Sequence, residues 1–276
     1  MNTASMDLRV EQFRGRHVFV AGGSSGINFG IAQAFARAGA KLFVISRSPD
    51  KVANAVAALQ NLGAEAQGQS ADVRQPDTLQ AAYNAAVAHF GLIDVLISGA
   101  AGNFLAKAMD MSPNAFKTVV DIDLLGSFNV VRAAYEHLRK PGASVVQISA
   151  GQASIGTPYQ AHVCAAKAGV DMLTRVLALE WGVEGIRINS IAPGPIADTE
   201  GLKRLAPDED ALQRMAERVP LQRLGRLDDI ARMAMLLCSD WGSYITGAVI
   251  PVDGGLALTG PRDFSAAAAA TARSRA

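Results

Sequence analysis

The chain has 276 residues, of which 50% are hydrophobic and 18% are charged, which is enough apolar material for one large globular domain or two small ones. Its 26 basic and 25 acidic residues give a net charge of +1, so no polycationic surface is expected to bind a nucleic acid. No run approaches the roughly 18 apolar residues of a membrane span, and no apolar signal segment is visible. Cys164 and Cys238 lie far apart in apolar segments, which favours reduced core residues over a disulfide or a metal site.

Short apolar runs alternate with alanine-rich segments of helical period, a pattern typical of repeated βαβ units. The predicted strands span residues 17–21, 41–46, 65–70, 95–98, 144–149, 187–192 and 249–252. The predicted helices span residues 27–38, 49–62, 75–90, 113–138, 158–181 and 227–238. Near-continuous hydrophobicity indicates that the strands are buried on both faces. The sequence therefore predicts an α/β fold, a single Rossmann-like doubly wound parallel sheet with helices on both faces.

Neither an internal repeat nor a linker interrupts this alternation, so one dinucleotide-binding domain is predicted over residues 10–259. Residues 1–9 and 260–276 are predicted to be flexible termini, because the C-terminal segment holds an alanine run among Arg, Ser and Thr. A frayed helix is the alternative for that segment.

A glycine-rich turn follows the first predicted strand directly and opens the first predicted helix. Its sequence is Ala21-Gly22-Gly23-Ser24-Ser25-Gly26-Ile27-Asn28. Glycines at such a turn let backbone N–H groups approach a pyrophosphate at a helix N-terminus, where the helix dipole also favours an anion. A plain strand-to-helix turn is the alternative, but the position in the first βα unit favours a dinucleotide site. The residues predicted to bind the cofactor here are Gly22, Ser24, Ser25, Gly26 and Ile27.

The second predicted strand ends in Ile45-Ser46-Arg47-Ser48 and has no carboxylate there. NAD-selective sites place an acidic residue at this position to accept hydrogen bonds from the adenosine ribose. A guanidinium flanked by hydroxyls suits a 2′-phosphate instead, so Arg47 and Ser48 favour NADP(H) over NAD(H).

These features resemble the short-chain dehydrogenase/reductase family over nearly the whole chain. The glycine turn is similar to that family's TGxxxGxG, with Ala21 in place of the threonine and Asn28 in place of the third glycine. Further matches are Asp72-Val73 after the third strand, Ser98-Gly99-Ala100-Ala101 at the family's NNAG position, Pro193-Gly194 with Ile196 and Thr199, Tyr244-Ile245-Thr246-Gly247, and Asp253-Gly254-Gly255. The resemblance implies that Asp72, Val73, Ala100, Ala101, Pro193, Gly194 and Ile196 also contact the cofactor.

The usual catalytic residues of this family are only partly present. Lys167 occupies the lysine position, but Val163 stands at the tyrosine position four residues before it, and Ala150 at the serine position thirteen residues before Val163. The asparagine position holds Asp123. An ordinary carbonyl reductase needs a phenol to protonate the alkoxide, and valine cannot supply that proton.

Three segments resemble the 2,4-dienoyl-CoA reductases, most of all the peroxisomal type, in which the family tyrosine is already replaced. They are Ala100-Ala101-Gly102-Asn103-Phe104-Leu105, the stretch from Asn114 to Asp123, and Ala192-Pro193-Gly194-Pro195-Ile196 with Thr199-Glu200-Gly201-Leu202. The mitochondrial type uses a tyrosine fifteen residues before the lysine, where this chain has Gln152. The resemblance implies an NADPH-dependent reductase of a conjugated acyl-CoA thioester.

Lys167, Asp123 and Asn103 are the predicted catalytic residues. Lys167 is predicted to hold the nicotinamide ribose of the cofactor and to lend positive charge. Asp123 is predicted to order a water or pass its proton, and Asn103 to donate a hydrogen bond to the thioester oxygen. The alternatives are an exposed helix cation, a structural acid and a turn-forming asparagine. No metal ligands are predicted, and residues 198–221 are expected to form a substrate lid whose basic residues suit either CoA phosphates or a solvated face.

Two other functions stay open at this point. One is a keto reductase with a relocated acid such as Tyr159, predicted to share a helix face with Lys167, and the other is an NADP(H)-binding protein without turnover. His162, five residues before the lysine, is interpreted either as a buried or helix-surface histidine or as a residue near the acyl chain.

The long apolar helices 113–138 and 158–181 predict a homotetramer. The absence of a C-terminal peroxisomal tripeptide predicts a cytoplasmic protein.

Overall fold

A seven-stranded parallel sheet runs through the residues that this computed structural model describes, 10–206 and 208–259. The strand order is β3-β2-β1-β4-β5-β6-β7, and every neighbouring pair is parallel. The strands are β1 (His17–Ala21), β2 (Lys41–Ser46), β3 (Ala66–Ser70), β4 (Val95–Ser98), β5 (Ser144–Ile148), β6 (Arg187–Pro193) and β7 (Val249–Val252). The predicted doubly wound sheet is confirmed, and the termini predicted to be flexible lie outside the described residues.

Helices cover both faces of the sheet. They are α1 (Gly26–Arg37), α2 (Pro49–Asn61), α3 (Pro76–Phe90), α4 (Pro113–Val120), α5 (Gly126–Ala134), α6 (Ala161–Trp181), α7 (Glu200–Leu205), α8 (Glu209–Glu217) and α9 (Leu227–Cys238). One core contains α1, α2 and α9, and the other contains α3, α5 and α6. No helix in the described part of the chain is long and apolar enough to span a membrane.

Strand β1 shows how the sequence builds both cores at once. Val18 and Val20 pack into the core beneath α1, whereas Phe19 and Ala21 face the opposite core, because successive side chains of a strand point to opposite faces. Phe19 stacks on Tyr83 with ring centroids 4.4 Å apart. Each such fully buried large apolar side chain stabilises the fold by about 1.5–3 kcal/mol.

Two edge strands differ from the prediction of strands buried on both faces. In β7 no residue is buried, and Pro251 is exposed. The third strand differs as well. It forms one edge of the sheet, and Gln67 and Ser70 are exposed. Gly68 is needed where α2 approaches this edge, since a Cβ there would lie 2.7 Å from Val52 Cγ1. An edge strand needs only one partner strand and one covered face, so its sequence is polar without loss of pairing.

The helix predicted over residues 113–138 is not continuous. A π-helical segment, Asp121–Leu125, separates α4 from α5, and a 3₁₀ turn, Tyr135–His137, ends the run. A π segment accommodates one extra residue per turn and therefore changes the direction of the side chains within it. Asp123 lies within this segment and is buried.

The helix predicted over residues 158–181 starts later than expected, at Ala161. Tyr159 has φ +66°, in the left-handed region, which no residue of an α-helix adopts. Its carbonyl oxygen accepts a hydrogen bond from Ala106 N at 3.1 Å. The predicted helix face shared by Tyr159 and Lys167 is therefore wrong.

Candidate active site

A large cleft crosses the carboxyl ends of the parallel strands, where ligands bind in open α/β sheets. Its volume is about 860 Å³, and it passes the point between β1 and β4 where the strand order reverses. The residues predicted to bind the cofactor all line it: Gly22, Ser24, Ser25, Gly26, Ile27, Arg47, Ser48, Asp72, Val73, Ala100, Ala101, Lys167, Pro193, Gly194 and Ile196. Asp123 and Asn103 line it as well.

The glycine turn has the shape of a pyrophosphate cradle. Gly22 has φ +75°, and a Cβ on it would lie 3.1 Å from the Ala100 backbone. Gly26 has φ +58° and begins α1, and a Cβ there would have no atom within 4 Å, so this helix N-terminus is open to the cleft. Ser25, the N-cap, makes no side-chain capping bond. Unsatisfied N–H groups in an open first turn fit the pyrophosphate of a dinucleotide.

Asn28, which stands at the third-glycine position, packs against the end of β4. Its Nδ2 lies 3.5 Å from the Gly22 carbonyl oxygen, and its buried Oδ1 has no hydrogen-bond partner among the described residues. A Cβ on Gly99 would lie only 2.3 Å from that Oδ1. Asn28 therefore occupies the space that a side chain at Gly99 would need, and the two departures from the family pattern compensate each other. Sequence reasoning treated them separately and missed the pairing.

Cations line the cleft near the end of β2. Arg47 is exposed there, and Lys51 lines the cleft one helical turn further on. Ser48 caps α2 by accepting a hydrogen bond from Lys51 N at 3.4 Å. The sequence analysis missed Lys51, although the Ser48-Pro49 helix start places it in the first turn of α2.

Asp72 also lines this end, but its carboxylate is engaged. Arg74 Nε donates to Asp72 Oδ1 at 3.0 Å and to Oδ2 at 3.1 Å. The hydrogen bonds from Arg74 hold the pKa of the Asp72 carboxyl below its usual value, so it stays charged near neutral pH. Arg74 thus balances the charge of Asp72, which lines the cleft together with Arg47 and Lys51.

Lys167 and Asp123 form a buried ion pair at the centre of the cleft. Lys167 Nζ lies 3.4 Å from Asp123 Oδ2, and the two side chains are 5% and 1% exposed. Nζ also donates to the Ile148 carbonyl oxygen at 3.0 Å, and Asp123 Oδ1 accepts from Gly102 N at 2.7 Å. Asp123 Oδ2 has no hydrogen-bond partner among the described residues. This oxygen is shielded from solvent, and Lys167 Nζ is the charged group that lies against it.

No phenol stands beside this pair among the described residues. Val163 lies one helical turn before Lys167, is buried and lines the cleft. Tyr159 is half exposed and does not line the cleft. His162 is fully buried with its ring centroid 4.2 Å from that of Phe104, and burial lowers its pKa. The buried alternative for His162 thus agrees with the structure.

Asn103 also lines the cleft, in the segment that follows β4. Its Oδ1 accepts a hydrogen bond from Gln160 Nε2 at 3.0 Å. The amide nitrogen is the end of this side chain that donates hydrogen bonds. Gln160 itself carried no signal in the sequence analysis, because a lone glutamine before a helix has no distinctive spacing.

Helices α7 and α8 also border the cleft. Leu202, Leu205 and Met215 line the cleft with apolar side chains, and Arg218 follows the end of α8. Apolar side chains together with the Arg218 cation in one cleft suit an acyl chain attached to a phosphorylated carrier.

The chain is similar to known proteins over most of its length. A family model described as Enoyl-(Acyl carrier protein) reductase matches residues 21–257. A peroxisomal 2,4-dienoyl-CoA reductase of Arabidopsis thaliana, named as (3E)-enoyl-CoA-producing, is 44% identical over 259 residues, 90% of this chain and 87% of that protein. The protein of the same name from Pongo abelii is 46% identical over 252 residues, 91% of this chain and 86% of that protein.

A solved structure agrees with these matches. The crystal structure of a short chain dehydrogenase from Bacillus anthracis superimposes with a TM-score of 0.81 at 33% identity. The match covers 92% of this chain and 100% of that one.

Proposed function

We propose that this chain, which belongs to the short-chain dehydrogenase/reductase family, reduces 2,4-dienoyl-CoA thioesters with NADPH. The observation that carries the proposal is the buried Lys167–Asp123 pair in a cleft where the tyrosine position holds Val163. A site without a phenol suits protonation at carbon better than protonation of an alkoxide. Relatives named 2,4-dienoyl-CoA reductases at 44% and 46% identity support the same substrate class.

Different residues of the cleft have different roles in the proposed reaction. NADPH, when bound along the glycine turn, supplies a hydride to the far end of the conjugated diene. Negative charge then moves to the thioester oxygen, where Asn103 donates a hydrogen bond and Lys167 contributes positive charge. Asp123, beside Lys167, orders a water or passes a proton, and protonation of the carbon next to the thioester leaves a 3-enoyl product. Both relatives' names carry (3E)-enoyl-CoA as product.

Steady-state assays with 2,4-hexadienoyl-CoA and acetoacetyl-CoA test this function directly. We expect NADPH oxidation with the dienoyl thioester and little with the ketoacyl thioester, and nuclear magnetic resonance should identify a 3-enoyl product. Preferential reduction of acetoacetyl-CoA would favour a keto reductase. Tight NADPH binding without turnover of either thioester would favour a protein that binds the cofactor without catalysis.

The 2′-phosphate selectivity rests on Arg47 and Lys51 and on the absence of a carboxylate at the end of β2. Replacing Arg47 with aspartate should shift the ratio of kcat/KM values from NADPH towards NADH, because a carboxylate repels the phosphate and accepts from the ribose hydroxyls. Arg37→Asp, a charge change outside the cleft lining, is the matched control. An unchanged ratio in Arg47→Asp would remove Arg47 from the site.

A homotetramer is the proposed assembly. Phe128 on α5 and Met172, Val176 and Leu179 on α6 are exposed apolar side chains, and a second copy of the chain would cover them. Light scattering at micromolar concentration should give four times the mass of one chain. A monomer under these conditions would contradict the proposal.

A cytoplasmic location is also proposed from the sequence, and the relatives compared above are named as peroxisomal proteins. Both cysteines are free thiols, which suits a reducing compartment.

We likewise propose that residues 10–259 form one domain and that residues 198–221 act as the substrate lid, since residues of α7 and α8 line the cleft.

A further inference from the structure

The segment from residue 102 to residue 106, here called the substrate loop, is attached to the protein at successive positions. Gly102 N donates to Asp123 Oδ1, and the Phe104 ring packs on the buried ring of His162. Ala106 N donates to the carbonyl oxygen of Tyr159. The loop is therefore fixed both to the acid of the buried pair and to the turn that precedes α6.

A chain of side-chain amides makes a further attachment, at Asn103. Gln152 Nε2 donates to Gln160 Oε1 at 2.9 Å, and Gln160 Nε2 donates to Asn103 Oδ1 at 3.0 Å. Gln160 is 1% exposed. Because an amide donates only through nitrogen and accepts only through oxygen, turning Gln160 over would set oxygen against oxygen and nitrogen against nitrogen. The orientations of the three amides are thus coupled.

We infer that Gln160 is a positioning residue, which occupies Asn103 Oδ1 and thereby directs the Asn103 amide nitrogen towards the thioester oxygen. This inference rests on the proposed function and on the role of Asn103 within it. Preorganised donors stabilise a developing oxyanion because they need no reorientation during the reaction. A reversed Asn103 amide would instead place its carbonyl oxygen against the negative charge.

Two substitutions of Gln160 separate orientation from simple loss of contact. In Gln160→Glu the carboxylate only accepts, so Asn103 must turn its nitrogen towards residue 160 and its oxygen towards the substrate. We expect kcat for 2,4-hexadienoyl-CoA to fall by about 10²-fold, the usual scale for one lost oxyanion donor. Gln160→Met, which keeps the length of the side chain but holds no hydrogen bond, should lower kcat less, by about tenfold.

The control is a second glutamine–asparagine contact outside the cleft. Gln80 Nε2 donates to Asn84 Oδ1 at 3.2 Å on the exposed face of α3. Gln80→Glu should leave kcat unchanged. Affinity for NADPH, measured by fluorescence titration, should be unchanged in all three variants, because Gln160 acts at the substrate end.

A double-mutant cycle shows whether Gln160 acts through Asn103. Once Asn103→Ala has removed the amide, adding Gln160→Glu should lower kcat little further, whereas a general structural role would lower it again by the same factor. Additive losses would overturn the inference, and so would a Gln160→Glu variant with kcat within threefold of the wild type.

Binding of hexanoyl-CoA, a saturated thioester that cannot be reduced this way, provides a readout that does not depend on turnover. Calorimetric titration of the NADP⁺ complex should show weaker binding in Gln160→Glu and in Asn103→Ala, with the same non-additivity. If the variants show this pattern of hexanoyl-CoA binding but the wild-type chain does not reduce dienoyl-CoA, the proposed function alone would be overturned. Hexanoyl-CoA binding that is weakened by Asn103→Ala but insensitive to Gln160→Glu would overturn the inference alone.

Discussion

Replacing Asp123 with asparagine is expected to lower kcat for 2,4-hexadienoyl-CoA by about 10²-fold, the usual scale for a lost proton-handling group. Asparagine keeps the size of the side chain and an oxygen that accepts the hydrogen bond from Gly102. It removes the charge that faces Lys167 and the ability to take up and release a proton. NADPH affinity should stay nearly intact, because Asp123 is proposed to handle the proton rather than to hold the cofactor.

The same π-helical segment offers a matched control. Asp121 lies two residues earlier in it, and its carboxylate pairs with Lys117 at the surface. Asp121→Asn should leave kcat unchanged, whereas Asp123→Ala should lose at least as much activity as Asp123→Asn. Dienoyl-CoA turnover that survives both Asp123 substitutions would show that another group supplies the proton.

The strands of this fold could be predicted because most of them are short apolar runs bounded by turn-forming residues. The predicted spans match β1, β2, β4 and β7 as the structure has them, and β3, β5 and β6 differ by one residue at one end. Buried parallel strands require runs of β-branched and other apolar residues bounded by turn formers, which few other structures need. The burial of β3 and β7 was mispredicted, since their places at the two edges of the sheet depend on the order of strands rather than on their own sequences.

The helices show that hydrophobic periodicity does not predict every irregularity of the backbone. Hydrophobic period runs through residues 113–138 without interruption, yet Asp121–Leu125 is π-helical. A Cβ on Gly126 would lie 2.6 Å from Val73 Cγ2, so tertiary contact with the residues after β3 accompanies this interruption. Such contacts join distant parts of the chain, and helical periodicity does not encode them.

Some residues of the candidate site could likewise be predicted from the sequence, and others could not. The glycine turn, Arg47 and Lys167 are recognisable because their chemistry depends on position relative to a strand or a helix. The pairing of Asn28 with Gly99 and the amide contact between Gln160 and Asn103 are not, because each joins two segments that only the folded chain brings together. The geometry also removes Tyr159 as the relocated acid that a keto reductase would need, since it precedes α6 and does not line the cleft.

The second large effect is expected at Lys167. Lys167→Met should lower kcat by at least about 10²-fold and, unlike Asp123→Asn, should also weaken NADPH binding, because the lysine is proposed to hold the nicotinamide ribose. Methionine keeps most of the length and apolar stem of lysine but loses the hydrogen bond to the Ile148 carbonyl oxygen and the charge opposite Asp123. Fluorescence titration with NADPH and steady-state kinetics measure the two effects separately.

Lys167→Met should also destabilise the fold, since it leaves the Asp123 carboxylate, only 1% exposed, without its counter-charge. Breaking a buried ion pair in this way costs roughly 3–5 kcal/mol of the free energy of unfolding. The double variant Asp123→Asn/Lys167→Met removes both charges, so urea unfolding should show that it regains most of this loss while remaining inactive. Equal destabilisation in the single Lys167→Met variant and the double variant would mean that the two charges do not interact, and the proposed catalytic pair would then have to be abandoned.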